Sequence, residues 1–138
     1  MTDDIMVSKR QALREEMKRR RSQMTPEQIR AASERIGLRI MELEPVKRAR
    51  TLMGYSSIDQ EVDVWSLLDS CQKAGKKILL PRVRRDKKLE AAEYIGREDL
   101  KPGAYGILEP TGAVFPEQEI DVVIVPGLVY DAKGYRLG

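Results

Sequence analysis

The side chains available for chemistry are restricted, because the 138-residue sequence contains no histidine. An imidazole general base and a zinc site with histidine ligands are therefore excluded. The single cysteine, Cys71, lies within an apolar pattern, so we expect a buried, inert thiol rather than a nucleophile. Any chemistry must use carboxylates, lysines, arginines, hydroxyl groups or backbone amides.

The best placed segment for ligand binding follows the apolar run IDVVIVPGLVYD near the end of the sequence. Residues Val122–Val125 form a continuous aliphatic run that Pro126 and Gly127 end. This pattern predicts a central strand, buried on both faces, whose carboxyl end opens into a loop. Ligands of open parallel α/β sheets bind at that edge, so we expect the functional site there.

Two helices are expected before the first strand. VSKRQALREEMKRRRSQM predicts a first helix that becomes strongly basic towards its end. The next helix begins with Thr25, Pro26 and Gln28, which suit an N-cap, a first-turn proline and a capping-box partner. Its apolar residues recur at helical spacing on one stripe, which consists of Ile29, Ala32, Ile36, Ile40 and Leu43.

The periodicity then changes to that of an α/β sheet. Short apolar runs at 51–55 and in KKILLPRV predict two buried strands. A helix is expected between them, with Asp63 as its N-cap and Gly75 at its end. The order of strand, helix and strand predicts a parallel β-α-β unit. We therefore predict an α/β fold with a layered, mostly parallel sheet, helices on both faces and an N-terminal helical pair.

The segment from residue 84 to 119 has a weaker pattern. LEAAEYI is compatible with a strand, whereas REDLKPGAYGILEPTGAVFPEQ is rich in glycine and proline. The second stretch predicts a long ordered loop over a sheet edge.

Length and composition favour one domain with small-molecule ligands. The sequence is 41% hydrophobic, and its net charge of +3 comes from 25 basic and 22 acidic residues. The basic cluster KRRRSQ is explained by dipole compensation at a helix end, so we expect no nucleic-acid partner. No apolar run approaches the ~20 residues of a membrane span, and the N-terminus has no signal-peptide pattern. A cytoplasmic location is therefore expected.

Five segments, in this order, resemble the motifs of the 5-formyltetrahydrofolate cyclo-ligase family, also called methenyltetrahydrofolate synthetases. They are RQALR, YSSIDQEVD, ILLPRV, GAYGILEP and, most specifically, IDVVIVPGLVYDAKGYRLG. The resemblance implies the layered cyclo-ligase fold, which is NagB/RpiA/CoA-transferase-like. It also implies a ligase that uses ATP and Mg²⁺ to convert 5-formyltetrahydrofolate into 5,10-methenyltetrahydrofolate, with release of ADP and phosphate. We expect a monomer.

The implied chemistry suits a chain without histidine. In the family's mechanism, the formyl oxygen takes the γ-phosphoryl group of ATP, and a folate nitrogen then attacks the activated carbon and expels phosphate. Such a reaction depends on positive groups around the phosphoryl more than on a strong base.

The resemblance assigns nucleotide-binding residues to both ends of the chain. The family's N-terminal basic motif matches Arg10 and Arg14, with Lys9 adjacent. Near the other end, Arg136 matches an ATP-contacting arginine, and Gly138 matches the start of a glycine-rich loop. Arg10 and Arg14 are four residues apart, so both project from one helical face. Without the resemblance, an ordinary solvated basic face would explain them.

Folate-binding residues are implied after the first strand. Glu61 matches the family's folate-contacting carboxylate, and Tyr55 and Ser56 fall near its substrate-lining position. A carboxylate can accept hydrogen bonds from the ring nitrogen and amino group of a pterin. The alternative for Glu61 is a charge that offsets a helix dipole.

Three other residues have more ordinary interpretations. Trp65 lies next to an apolar stripe and is expected to pack in the core. Arg82, at a strand end, is a weaker candidate for phosphate or the glutamate tail. Tyr105 is expected to shape a loop beneath the substrate.

The family's phosphate loop is the one motif without a counterpart. In relatives, a run like YGGGYYDR follows, whose backbone amides cradle phosphate and whose aspartate holds magnesium. We therefore assign no metal ligand or catalytic residue, and we expect residues 1–138 to form a single, C-terminally incomplete α/β domain with little ligase activity by itself. The alternative is a non-catalytic folate- or nucleotide-binding relative that lacks the phosphate loop and metal site.

Overall fold

Three helices come first and strands predominate after them along residues 2–138, which are the residues that the computed structural model describes. The helices are α1 (Thr2–Ser22), α2 (Pro26–Glu42), α3 (Glu44–Arg48) and α4 (Trp65–Lys73). The strands are β1 (Thr51–Met53), β2 (Lys77–Val83), β3 (Leu89–Tyr94), β4 (Lys101–Pro102), β5 (Leu108–Glu109), β6 (Val114–Phe115), β7 (Val122–Val123), β8 (Val129–Tyr130) and β9 (Arg136–Leu137). The predicted α/β class is confirmed. None of these helices is long and apolar enough to cross a membrane.

A five-stranded sheet in the order β6-β3-β2-β1-β7 forms the centre of the structure. β1 pairs in parallel with both β2 and β7, which confirms the predicted β-α-β unit. β3 is antiparallel to β2 and β6. The short connection between β2 and β3 explains this change of direction, because a hairpin turn can join only antiparallel neighbours. The sheet is therefore mixed, with its parallel strands on one side.

The prediction of a central strand at residues 122–125 was wrong for the described sheet. Within residues 2–138, β7 pairs with β1 alone and lies at the sheet edge. Val123 is accordingly 52% exposed. A continuous aliphatic run favours burial, but it does not determine how many strands pair with the strand that the run forms.

The helix starts follow local rules with one exception. The predicted capping box of α2 is present: Gln28 N–H donates to Thr25 Oγ1 at 3.1 Å, and Thr25 N–H donates to Gln28 Oε1 at 2.9 Å. At α4, the N-cap is Val64 and not Asp63 as predicted. The Asp63 carboxylate still accepts from Trp65 N–H at 3.0 Å, because an aspartate side chain reaches an amide two residues ahead.

The core lies between α4 and one face of the sheet. Its fully buried side chains include Leu52, Leu68 and Ile78, and Trp65 packs against Tyr94 with a centroid distance of 5.8 Å. Packing of Trp65 is therefore confirmed.

Cys71 and α1 show opposite degrees of burial. Cys71 is completely buried, as predicted, and burial raises the pKa of its thiol. In contrast, α1 buries none of its side chains.

Gly54 allows the end of β1 to lie directly against α4. A methyl group added there would approach Leu68 Cδ2 to 2.5 Å, while Gly54 N–H donates to Leu79 C=O at 2.9 Å. The backbone is therefore fixed at a position where no side chain fits.

We expect Gly54→Ala to destabilise the chain by about 1–3 kcal/mol through overpacking. Leu68→Ala should cost about 2–5 kcal/mol through a cavity. The double variant should lose less than the sum, because the new methyl fills the new space. Urea unfolding measures all three. Leu80→Ala, another fully buried leucine, is the matched control, and its loss of unfolding free energy should add to that of Gly54→Ala. If the losses of Gly54→Ala and Leu68→Ala were additive as well, the close packing of Gly54 against Leu68 would be contradicted.

Asp121 joins the start of β1 to β7. Its Oδ2 accepts from Arg50 N–H at 2.8 Å and from Thr51 N–H at 3.2 Å, and its own N–H donates to Thr51 Oγ1 at 3.0 Å. The two backbone bonds, from Arg50 and then Thr51, hold the pKa of the Asp121 carboxyl below its usual value.

Asp121→Asn should lower the melting temperature at neutral pH, because the charged acceptor of two backbone amides is lost. A carboxylate whose pKa is depressed by folding stabilises the chain above its unfolded pKa, and this stabilisation is lost as the pH falls through the folded pKa. The difference in melting temperature between the parent chain and Asp121→Asn should therefore become smaller as the pH falls from about 6 to about 3. Glu117→Gln, an exposed carboxylate on the turn before β7, is the control. A melting-temperature difference that stays constant over this pH range would contradict the stabilising role of the charged Asp121 carboxylate.

Candidate functional site

Two loops meet where the parallel strands β1 and β7 end. The strands remain paired up to this point, since Ile124 N–H donates to Met53 C=O at 2.8 Å. Residues 54–64 leave β1, and residues 124–138 leave β7 and form the β8–β9 hairpin. This is the sheet edge that the sequence indicated as the site.

Hydroxyl groups hold the first loop in shape. Tyr55 is buried, and its OH donates to Val62 C=O at 2.8 Å. Ser57 Oγ donates to the same carbonyl at 3.1 Å and accepts from Val64 N–H at 2.9 Å. The loop therefore folds back on itself before α4 begins.

Tyr55 remains a neutral phenol in this environment. Burial raises the pKa of Tyr55 far above its usual value, and the charges of Glu61, Tyr130 and Asp63 raise it further. These effects disfavour the phenolate, and the proton is already donated to a backbone carbonyl. Tyr55 therefore supports the loop and does not act as an acid or base near neutral pH.

Glu61 has one carboxylate oxygen that is free for a ligand. Its Oε1 accepts from Ile58 N–H at 3.0 Å, and its own N–H donates to Ile58 C=O at 3.0 Å, which closes a turn. Among residues 2–138, no donor contacts its other oxygen, Oε2. The half-buried carboxylate is thus fixed by one oxygen and can accept hydrogen bonds with the other.

Ser56 faces away from the loop that contains it. The side chain is 6% exposed, and Oγ donates to Leu108 C=O at 2.6 Å. Its hydroxyl proton is therefore directed to another segment of the chain.

The second loop forms a compact hairpin. Arg136 Nη1 donates to Pro126 C=O at 3.0 Å, and Tyr130 OH donates to Val125 C=O at 3.2 Å. Asp131 Oδ1 accepts from the N–H groups of Lys133 and Tyr135, both at 2.9 Å. The hairpin is thus closed by its own side chains.

Three of the predicted nucleotide-binding residues lie together. Arg14 Nε of α1 donates to Gly138 C=O at 2.9 Å, and a methyl group added at Gly138 would lie 2.5 Å from Arg136 Nη1. Arg10 lies one helical turn before Arg14 on the same side of α1. Lys9 is also exposed, but it points about 100° away from Arg10 on the helix.

Comparison with known proteins identifies the family. The model of the 5-formyltetrahydrofolate cyclo-ligase family matches residues 6–138. This chain belongs to that family. Among curated relatives, it is 31% identical over 127 residues to the 5-formyltetrahydrofolate cyclo-ligase of Escherichia coli K12, covering 88% of this chain and 70% of that protein. It is 29% identical over 137 residues to that of Haemophilus influenzae, covering 96% and 73%.

Solved structures agree with the cyclo-ligase fold. The 5,10-methenyltetrahydrofolate synthetase of Aquifex aeolicus superposes with a TM-score of 0.83 at 29% identity, covering 94% of this chain and 66% of that one. The 5,10-methenyltetrahydrofolate synthetase of Mycoplasma pneumoniae has a TM-score of 0.72 at 18% identity, covering 94% and 70%. This chain therefore spans between 66% and 73% of the length of these four relatives.

The described part of this cyclo-ligase chain does not fit a resident metal ion. Within residues 2–138, no three carboxylate, histidine or cysteine side chains cluster as metal ligands. In the hairpin, Asp131 Oδ1 accepts from two backbone amides, and Oδ2 is its remaining oxygen.

Arg82 joins β2 to β3 and to the segment after the β4–β5 hairpin, and these contacts use its Nε and Nη1. Its Nε pairs with Glu90 Oε1 at 2.9 Å, and its Nη1 donates to the carbonyls of Pro110 and Gly112 at 3.1 and 2.9 Å. The sequence did not reveal this role, or the contact between Ser56 and Leu108, because both join residues far apart in the chain.

Proposed function

We propose that this chain carries the cyclo-ligase site of its family, which uses ATP to close 5-formyltetrahydrofolate to 5,10-methenyltetrahydrofolate with release of ADP and phosphate. The observation that supports it is that the loop of Glu61 and the hairpin of Arg136 and Gly138, which Arg14 contacts, both leave the sheet at the carboxyl ends of the paired strands β1 and β7. The two loops are neighbours where they leave the sheet, because Ile124 N–H donates to Met53 C=O at 2.8 Å directly before them.

The folate would bind on the side of the first loop. Glu61 Oε2 is suited to accept from the N–H groups of a pterin, since its other oxygen is held by Ile58 N–H. Tyr55 and Ser56 then belong to the site as the residues that fix the loop around the ligand. This placement leaves the carboxylate as the specific contact and the buried hydroxyls as its support.

ATP would bind on the side of the hairpin and α1. Each of Arg14 and Arg136 uses one N–H for a backbone carbonyl, and the other N–H groups of each guanidinium can bind phosphate oxygens. Gly138 would bring backbone close to the same phosphates. Lys9 or Arg10 would add a second cation on the facing turn of α1.

The reaction needs these cations more than it needs a base. Transfer of the γ-phosphoryl group to the formyl oxygen turns a poor leaving group into phosphate, and the fixed guanidinium groups stabilise the charge on the moving phosphoryl. Mg²⁺ is proposed only as the ion that accompanies ATP, and no step is assigned to it.

The test measures binding and turnover on the same 138-residue chain. Calorimetric titration with ATP and with 5-formyltetrahydrofolate reports the two half-sites, and the absorbance rise of methenyltetrahydrofolate in the presence of ATP and Mg²⁺ reports the reaction. Turnover assigns the ligase activity to these residues. Binding of both ligands without turnover supports the two half-sites alone, and it is the result expected both of an incomplete ligase domain and of the second candidate, a folate- and nucleotide-binding relative. Failure to bind either ligand would overturn the proposed site.

We expect Glu61→Gln to weaken binding of 5-formyltetrahydrofolate roughly 10-fold or more, because a charge-assisted hydrogen bond becomes a neutral one. The amide can still accept from Ile58 N–H, so the turn should persist. ATP affinity should not change. Glu42→Gln, at the exposed end of α2, is the control. An equal loss in both variants, or a loss of ATP binding with Glu61→Gln, would count against a folate-specific role.

Replacing Arg14 and Arg136 together by glutamine should weaken ATP binding at least about 10-fold and leave folate affinity unchanged. The reason is the loss of two fixed cations that face one anion. Arg35→Gln, an exposed arginine on α2, removes a positive charge elsewhere and should have little effect. If Arg35→Gln weakened ATP binding as much, net charge rather than a built phosphate site would explain the affinity.

A further inference from the structure

The β4–β5 hairpin projects a strained turn beside the first loop. β4 and β5 pair at Pro102 and Leu108, and Gly103 N–H donates to Ile107 C=O at 2.8 Å. At the tip, Tyr105 has φ 60° and ψ 20°, and it is 98% exposed. A bulky residue in this left-handed conformation costs free energy and persists only where the surrounding structure holds it.

The base of this hairpin is fixed to β2. Val83 N–H donates to Glu109 Oε2 at 2.8 Å. Just beyond the hairpin, Arg82 Nη1 holds the carbonyls of Pro110 and Gly112. These bonds attach the base, but none of them determines where the tip lies relative to the loop that carries Glu61.

Ser56 supplies that connection. Among residues 2–138, its 2.6 Å bond to Leu108 C=O is the one hydrogen bond between loop 54–64 and the β4–β5 hairpin. It is buried, with Ser56 only 6% exposed, so water cannot easily replace it. The bond also lies between the two features that it relates, five residues before Glu61 and three residues after Tyr105.

We infer that Ser56 is a positioning residue of the folate site, which sets the distance between the Glu61 loop and the hairpin tip. This inference rests on the proposed function. A hydroxyl that is committed to Leu108 cannot also donate to the ligand, so Ser56 acts through the hairpin. Loss of the bond frees the tip, and folate binding must then restore the order that Ser56 provides in advance.

The first test is Ser56→Ala. We expect affinity for 5-formyltetrahydrofolate to fall roughly 5- to 20-fold, while ATP affinity stays unchanged, because within residues 2–138 the hairpin bonds to Ser56 and β2 but makes no hydrogen bond to α1 or to residues 124–138. Amide hydrogen exchange at Gly103 and Ile107 should become faster without any ligand. Thr111→Val is the matched control: it removes a 3.0 Å hydroxyl bond to Asp99 C=O in the segment after the hairpin and should leave folate affinity unchanged.

A second pair of variants protects the test against misfolding. Ser56→Thr and Ser56→Val have nearly the same shape and differ in the hydroxyl group, so Thr should bind folate several-fold more tightly than Val. The inference is overturned if Ser56→Ala binds folate like the parent chain and leaves amide hydrogen exchange in the hairpin unchanged. The same holds if Ser56→Val and Ser56→Thr do not differ in these two measurements. In either case the proposed function stands. If the unaltered chain does not bind 5-formyltetrahydrofolate, the proposed function fails first.

Discussion

The parallel pairing of β1 with β2 on one side and β7 on the other is the constraint on which the rest of the structure depends. Leu52 lies at the centre of this arrangement, opposite Ile78 and Val122, and is fully buried. Because parallel strands end at the same edge, this pairing brings together two loops that are about 70 residues apart in sequence. Gly54 then allows α4 to approach that edge closely. The direction of the strands therefore determines where the candidate site lies, and the individual side chains determine what that site can bind.

At this edge, the polar groups divide into those that build the site and those that remain free. The hydroxyls of Tyr55, Ser56 and Ser57 all donate to backbone carbonyls, and burial keeps the Tyr55 phenol protonated. Neutral hydroxyls satisfy buried carbonyls without the desolvation cost of a charge. The charged groups, Glu61 and Arg14, are each held by a single backbone bond and keep capacity for a ligand. This division suits a phosphoryl transfer without histidine, because such a reaction depends on charged groups around the phosphoryl more than on a strong base.

Local patterns predicted most of the fold because they depend on neighbouring residues. The capping box of α2 needs only Thr25 and Gln28, and the β-α-β unit follows from consecutive segments. The central position expected for β7 was wrong because an aliphatic run does not specify how many strands lie beside it, and Val123 of β7 is 52% exposed. The candidate site residues were proposed from the family motifs and stay a prediction, whereas no motif indicated the bond between Ser56 and Leu108, which spans 52 residues. A contact between residues so far apart depends on tertiary packing, and the spacing of neighbouring residues in the sequence does not predict it.

The two halves of the site differ in how firmly the fold holds them. The proposed folate side is a loop that contains the buried residues Tyr55 and Ser56, whereas α1 buries no side chain and meets the hairpin through an exposed bond from Arg14 to Gly138. An exposed hydrogen bond contributes little net free energy. An anion bridging Arg14 and Arg136 would add charge-assisted bonds across this contact, and its binding would stabilise the folded arrangement by mass action. Under the proposed function, the nucleotide would thus be both a reactant and a structural link between α1 and the hairpin, while the folate would enter a site that the buried hydroxyls have already shaped.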